Sequence, residues 1–429
     1  MKVAIVHDYL REYGGAERVV EALHEIWPEA PLYTSFVDWP AFAKAPAGKV
    51  ELFKSWDIRT SPVADNWLIK KFHSPLRFLA PLIWRSLDLS GYDAVISSSG
   101  WFMCRGVALP RAEGGVPWFS RRQGPDLPGV HRNHFAKAVT PLETSRLPAR
   151  NNGPVHICYI HHPPRNLYGY ATGSDLQKYW PVRVYATIVN FYLRHYDWET
   201  AQRVDYFIAN SEETARRVEK FYRREAAVIY PPIEISQGVA LQRGQQGHPL
   251  RKREYFLSVG RLTYSKRVDL AITACNKLNL HLKIVGTGKE EGYLRNLASQ
   301  GQALRSRIEF LGSVTDEELA GLYDGAKALI FCALEEDFGM VPVEAMSHGV
   351  PVIALGQGGV LETVEDGRTG VLFQEPTTES LMEGIKKFNK NYNDYKSNNC
   401  YKQAQKFSKE RFVREMRAFV EDAYRRRTV

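Results

Sequence analysis

The 429-residue chain carries 57 Lys and Arg against 48 Asp and Glu, a formal charge of +9, with 44% hydrophobic and 24% charged residues. That composition excludes a disordered chain, and no uninterrupted apolar run reaches the length of a bilayer span. At this length two domains of roughly 200 residues each are expected rather than one core.

The amino terminus, MKVAIVHDYL, goes straight into an apolar strand pattern without a basic n-region, an h-region or a cleavage site. No signal peptide is expected, and the mature protein is expected to begin at Met1. GAERVVEALHEIW follows with helical period, and PLYTSFV, YDAVISSS, HICYIHH, DYFIANS and AAVIYPP then read as short strands, with a helix over EETARRVEKFY. Near-continuous apolar runs separated by helices indicate a parallel sheet covered on both faces. NWLIKKFHSPLRFLAPLIWRSL mixes basic and large apolar residues, as a membrane-surface helix would, or as one buried face of a domain.

The segment of about 105–152 is too long and too rich in Pro and Gly for an ordinary βα connection and reads as an insertion. Its basic residues (Arg105, Arg111, Arg121, Arg122, Arg132, Lys137, Arg146, Arg150) outnumber Glu113, Asp126 and Glu143, which suits a solvated loop or an anionic partner. A polar, Gly- and Gln-rich connection follows, and the pattern restarts with YFLSVGRL, HLKIVGTG, RIEFLGSV, KALIFCA and VPVIAL. The expected architecture is α/β, with two Rossmann-like domains facing across a cleft. The expected boundaries are 1–235 for the first domain, 236–253 for the linker and 254–403 for the second domain. A helix over 404–429 is expected to return to the first domain. The five cysteines (Cys104, Cys158, Cys275, Cys332, Cys400) are scattered and lack any C-x-x-C pairing, against a disulfide framework or zinc site and in favour of a reducing cytosol.

Ligands of open parallel sheets bind at the carboxyl ends of the strands, so the strand-to-helix junctions carry the chemistry. Gly14 and Gly15 open a helix directly after the first strand, where backbone N–H groups and the helix dipole can approach a phosphate. SVGRLTYSKRVDLAI resembles a P-loop, but Ser265 stands where the second glycine belongs and Arg267 follows Lys266 in place of Ser or Thr. What remains is Arg261 past a strand end and Lys266 at a helix start, two cations able to converge on one diphosphate. Gly286 and Gly288 do not complete a dinucleotide fingerprint, because Gly292 comes one residue late; the turn suits a nucleotide base edge or nothing specific. Val314, closing RIEFLGSV, is a further candidate binding position. In CYIHHPPRNLYG, His161 and His162 end a strand and Arg165 follows two prolines.

The stretch ALEEDFGMVPVEAMSHGV places Glu336 at a strand end and Glu344 a turn into the next helix, with the N–H groups of Phe338, Gly339, Met340 and Val341 between them. Acceptors for sugar hydroxyls and N–H groups for phosphate then occur together, a combination suited to a sugar nucleotide. The Asp-Phe-Gly at 337–339 is not that of a protein kinase, since no catalytic loop shortly precedes it and no Gly-rich loop with a Val-Ala-Ile-Lys strand lies upstream.

These motifs, in this order, resemble the retaining glycosyltransferases of family 4, with the GT-B fold. Within that family the chain is most similar to O-antigen and exopolysaccharide mannosyltransferases that use GDP-mannose, through HDYLREYGGAERVVEAL, HICYIHHPPR and ANSEETARRVEKFYRREAAVIYPPIE. The resemblance covers nearly the whole chain outside the insertion. It implies that Glu336 lies near the donor hexose, Glu344 holds the ribose, Arg261 and Lys266 bind the diphosphate, and the Gly15 amide closes over it. It also implies that His161 stands beside the donor sugar, although His162 replaces a commoner small or acidic residue. The chain contains no Asp-x-Asp, so Arg261, Lys266 and the helix dipoles are expected to stabilise the leaving group without a metal or other cofactor. The implied partners are a nucleotide-sugar donor and a glycan or lipid-linked acceptor. The implied place is the cytoplasm, in peripheral contact with the anionic inner face of the cell membrane, in bacterial surface polysaccharide synthesis. A GT-B-like epimerase or phosphorylase is the alternative. No aromatic-basic RNA motif or helix-turn-helix supports a nucleic-acid partner.

Overall fold

The structure is a computed structural model that describes residues 1–43, 48–109, 153–170, 179–235, 253–300 and 307–428. The linker over 236–253, except Arg253, and the insertion beyond residue 109 lie outside the described residues.

The apolar runs form two separate parallel sheets. The first holds β1 (Val3–His7), β2 (Leu32–Thr34), β3 (Ile58–Thr60), β4 (Ala94–Ser99), β5 (Val155–Ile160), β6 (Tyr206–Ala209) and β7 (Ala226–Val228), in the order β3-β2-β1-β4-β5-β6-β7. The second holds β8 (Tyr255–Val259), β9 (Leu282–Val285), β10 (Ile308–Gly312), β11 (Ala326–Phe331), β12 (Val352–Leu355) and β13 (Gly370–Phe373), in the order β10-β9-β8-β11-β12-β13. Every residue of β1, β4 and β5 is buried, as expected of strands with helices on both faces. Strand order reverses between β1 and β4 in one sheet and between β8 and β11 in the other. Those reversals leave a crevice at the carboxyl ends, the place where such sheets bind ligands.

The helix Lys409–Thr428 belongs to the first domain's core: Phe412, Met416, Val420 and Ala423, spaced at helical intervals, pack with Val3, Ile5, Ile157 and Tyr159. The chain therefore crosses between domains twice, and the crossings run side by side. The N–H of Ile233 donates to the Phe407 carbonyl at 3.1 Å, and the N–H of Lys409 donates to the Ile233 carbonyl at 3.0 Å.

Two local expectations change form. Arg105, counted above among the basic residues of the insertion, is a core residue of the first domain. The long helix Trp180–Arg203 brings Asp197 beneath it, and the guanidinium donates to Asp197, to the Tyr222 hydroxyl at 2.9 Å and to Ser99 Oγ at 3.2 Å. A buried guanidinium requires such partners, and desolvation would expel it without them. The 66–87 stretch is not one helix; it folds as helices Trp67–Phe72 and Ala80–Arg85 around a 3₁₀ turn, Pro75–Leu79. Prolines at 75 and 81, which lack an N–H, set those breaks. Ile69, Ile83 and Trp84 enter the core, while Trp67, Leu68 and Leu82 face outward. All five cysteines are buried and free. No described helix is long and apolar enough to cross a membrane.

Candidate active site

In the first domain the site is built on the ends of β1, β4 and β5. Asp8, just past β1, accepts N–H bonds from Gly100 and Phe102 at 3.0 Å and from Cys104 at 2.9 Å, tying the loop after β4 to the strand beside it. His7 ends β1 opposite Ser98 of β4, with Nδ1 at 3.2 Å from Ser98 Oγ and Nε2 at 3.3 Å from Glu17 Oε1. Glu17, in the first turn of helix Gly15–Ile26, also accepts the Gly14 N–H at 2.9 Å. Ser98 Oγ lies 2.8 Å from His161 Nε2, so Glu17, His7, Ser98 and His161 form one buried chain of hydrogen bonds. Burial lowers the His7 pKa, but the Glu17 carboxylate outweighs it and holds His7 above its ordinary range. Burial, joined by His7 and His162, pushes His161 down to about 3, so its imidazole is neutral and can serve as a hydrogen-bonding group but not as an acid at neutral pH.

In the second domain the pieces are Arg261 after β8, Lys266 at the end of the single turn Tyr264–Lys266, and the loop from β11 to helix Met340–Ser347. Gly339 caps that helix at φ +91°, a conformation that suits glycine and points the first N–H groups into the crevice. Gly358 and Gly359 clamp the loop from behind. A Cβ on either would meet the Glu336 or Asp337 carbonyl oxygen at 2.2 and 2.4 Å, and the Gly359 N–H donates to Glu336 at 2.8 Å. Lys266 Nζ sits 2.6 Å from Glu336 Oε2.

Several contacts across the crevice are ionic. Arg165 donates to Asp337 Oδ2 at 2.7 Å and to the Glu335 carbonyl at 2.8 Å, and Arg217 donates to Asp337 Oδ1. Burial raises the Asp337 carboxyl, but Arg165, His162 and Arg217 together hold it below its ordinary range. Glu362 accepts the N–H groups of Glu212 at 2.8 Å and Glu213 at 2.9 Å, capping helix Glu212–Tyr222 of the opposite domain. Arg18 pairs with Glu344, and Arg261 Nη1 lies 2.8 Å from Glu12 Oε1. A Cβ added to Gly15 would fall 2.8 Å from Met340 Sδ, so the two helix starts face each other at close range.

Both domains line one cavity of about 1120 Å³. Its wall brings together Gly14, Gly15, His161, His162 and Arg165 from the first domain. From the second it takes Arg261, Lys266, Glu336, Phe338, Gly339, Met340, Val341 and Glu344. Gly286 and Val314 do not line it. Gly286, at φ +123°, packs against Gly260, whose carbonyl would meet its Cβ at 2.0 Å, and Val314 lies against the apolar cluster around Phe331 and Val343. Sequence reasoning missed Glu12, Arg18, Ser98, Arg217 and Glu362. Their types carry no signal alone, and only the fold brings them here. Gly358 and Gly359 did leave one, since G-Q-G-G directly follows a strand as a tight close-approach turn would. Among the described residues no group of three or more His, Cys, Asp or Glu is placed to hold a metal ion.

Residues 242–407 match the family model described as glycosyl transferases group 1. The human alpha-1,3/1,6-mannosyltransferase ALG2 is 28% identical over 45% of this chain and 52% of its own length. The chain spans about half the length of curated relatives such as this one. The sucrose-phosphate synthase of Thermosynechococcus elongatus superposes with a TM-score of 0.66 at 17% identity, covering 99% of both chains. Anabaena Alr3699/HepE in complex with UDP and glucose gives 0.61 at 17% identity, covering 98% of this chain and 99% of that one. The fold is GT-B. The matched residues take in the whole of the second sheet, β8 to β13.

Proposed function

We propose that this GT-B protein transfers a hexose from a nucleotide sugar to a hydroxyl of a glycan or lipid-linked saccharide, with retention of configuration. The observation that carries the reading is the single cavity into which Arg261, Lys266, Glu336, Glu344 and two facing helix starts converge from both domains. Breaking a glycosyl phosphate bond leaves negative charge on the diphosphate and positive charge on the sugar ring. Cations and N–H groups fixed in advance stabilise the first, and a carboxylate near the ring stabilises the second. In this assignment Arg261, Lys266 and the Gly15 and Met340 amides take the diphosphate. Glu344 takes the ribose and Glu336 the hexose, with neutral His161 accepting or donating one hydrogen bond to a sugar hydroxyl. The acceptor hydroxyl enters on the face the diphosphate leaves and gives its proton to a phosphate oxygen, so no enzyme nucleophile is required.

GDP-mannose is the donor we assign, supported by the mannosyl relative named above and by the motif resemblance, and the setting is bacterial surface polysaccharide synthesis at the inner face of the membrane. HepE is described with UDP and glucose, so base and sugar are tested together. Thermal-shift titration with GDP-, UDP-, dTDP- and ADP-sugars should give the largest stabilisation with GDP-mannose, by mass action. Stabilisation by none of them overturns the reading. Turnover should persist in EDTA, and a strict manganese requirement would contradict the assignment of Arg261 and Lys266. Product analysis with acceptor present separates transfer from epimerisation or phosphorolysis.

A further inference from the structure

The long helix Trp180–Arg203 buries one side in the first domain through Ala186, Val189, Leu193, Tyr196 and Ala201. On the opposite side Trp180, Val184, Ile188 and Phe191 recur at intervals of four, four and three residues, which aligns them in one stripe. Trp180 is 69%, Ile188 67% and Phe191 74% exposed. Single apolar residues on a surface are ordinary, but a contiguous row of large ones marks a docking face. The stripe continues onto a neighbouring element. The Tyr185 hydroxyl donates to the Pro75 carbonyl and Arg77 donates to Asn190 Oδ1 at 2.5 Å, packing the 66–87 stretch beside the helix. That stretch adds Trp67, 71% exposed, with Leu68 and Leu82.

The charge around this face is predominantly positive, although Lys70 is paired with the flanking Asp65. Residues 66–87 contain Lys70, Lys71, Arg77 and Arg85 and no Asp or Glu. The helix contributes exposed Arg183 and Arg194, while its two carboxylates are internally committed: Asp197 is buried against Arg105, and Glu199 pairs with Arg203. Tryptophans and aliphatic residues edged by cations match the interface of an anionic bilayer, where indole rings sit at headgroup depth and cations meet phosphates.

We propose that this face docks on an anionic lipid bilayer, with Trp180, Ile188 and Phe191 entering the headgroup region and Arg183, Arg194 and Lys71 meeting lipid phosphates. Pro181, Val182 and Tyr185 of the same helix, with Pro75 and Arg77, line the cavity. The docked face therefore adjoins the cleft, and an acceptor hydroxyl carried on a lipid would reach the site without leaving the bilayer. That last consequence rests on the transfer reading above; the docking does not.

The test mixes the full-length protein, without any nucleotide sugar, with phosphatidylcholine vesicles and with vesicles containing phosphatidylglycerol, and measures co-sedimentation. The expected result is partition onto the anionic vesicles, reduced on the order of tenfold by Trp180→Ser/Ile188→Ser/Phe191→Ser and by Arg183→Glu/Arg194→Glu, with thermal melting unchanged. No partition of the native protein, or equal partition of the variants, overturns the proposal. So does sedimentation velocity showing that the stripe holds a second copy of the chain, released by the serine variant. Vesicle binding by a protein that binds no nucleotide sugar would keep the docking and remove the transfer reading; the reverse pattern would remove the docking alone.

Discussion

Lys266 and Glu336 lie 2.6 Å apart in the cavity, each partly exposed, so their pairing contributes little to stability. In the proposed transfer their value lies in where charge develops during reaction. Losing one fixed contact to a leaving group costs about 3 to 4 kcal/mol of transition-state stabilisation. Lys266→Ala should therefore lower turnover on the order of a hundredfold or more at nearly unchanged melting temperature, and a near-native rate would remove Lys266 from the mechanism. His161 makes a different prediction. Folded, it takes up its proton at about pH 3, whereas the unfolded imidazole does so at 6.5. Between those values the unfolded state binds more protons, so stability falls as pH drops, by up to about 1.4 kcal/mol per pH unit. His7 has the opposite sign: its raised pKa adds stability that is complete below 6.5 and fades as pH rises through the folded value. His161→Asn should flatten the acid limb of urea-unfolding curves between pH 6.5 and 4, and an unaltered slope would show that His161 is not the group responsible.

The loop carrying Glu336 holds its shape because a second turn is pressed against it. A methyl group at Gly359 would need room within 2.4 Å of the Asp337 carbonyl, which neither backbone can give without moving. Gly359→Ala should shift the loop and its glutamate, costing roughly 1 to 3 kcal/mol of stability and, if Glu336 acts on the hexose, at least tenfold in kcat/KM. Equal loss from Gly321→Ala, where a Cβ meets nothing, would show that the effect is not specific to the loop. At this scale much was legible in the sequence. Buried parallel strands are nearly continuous apolar runs, and the rule that ligands gather at strand ends leads to Arg261, Lys266 and Glu336, all of which line the cavity. Gly286 obeys the same rule yet stands away from it, because its missing side chain serves a contact with Gly260. Glu12, Arg18 and Glu362 were illegible because ordinary charged residues of helices and loops acquire a partner only when two domains, more than two hundred residues apart for Arg261 and Glu12, come face to face. Arg105 misled for the same reason, its partner lying on a helix far along the chain.

Across the whole molecule the two domains are joined by a paired crossing at Ile233 and Phe407–Lys409 and by ion pairs of unequal burial. Arg261 and Glu12 are 67% and 48% exposed, and such pairs contribute between 0 and about 1 kcal/mol. Asp337 sits between Arg165 and Arg217, all three largely withdrawn from water; Arg217 also pairs with Glu213 and both guanidinium groups reach the Glu335 carbonyl, so removing the shared carboxylate costs at most the roughly 3 to 5 kcal/mol of a broken buried pair. Because the charges belong to different domains, that penalty falls on the interface rather than on either sheet. Scanning calorimetry should give one transition for the native protein and for Glu12→Gln, and two for Asp337→Asn. Acid should act as the substitution does, since the lowered pKa of Asp337 provides stability that is present above its unfolded value, 3.8, and is lost as pH falls through the folded one. A single cooperative transition in Asp337→Asn would mean that the apolar contacts around the crossing, Tyr230 and Phe407 against Phe338, couple the domains without help from charge.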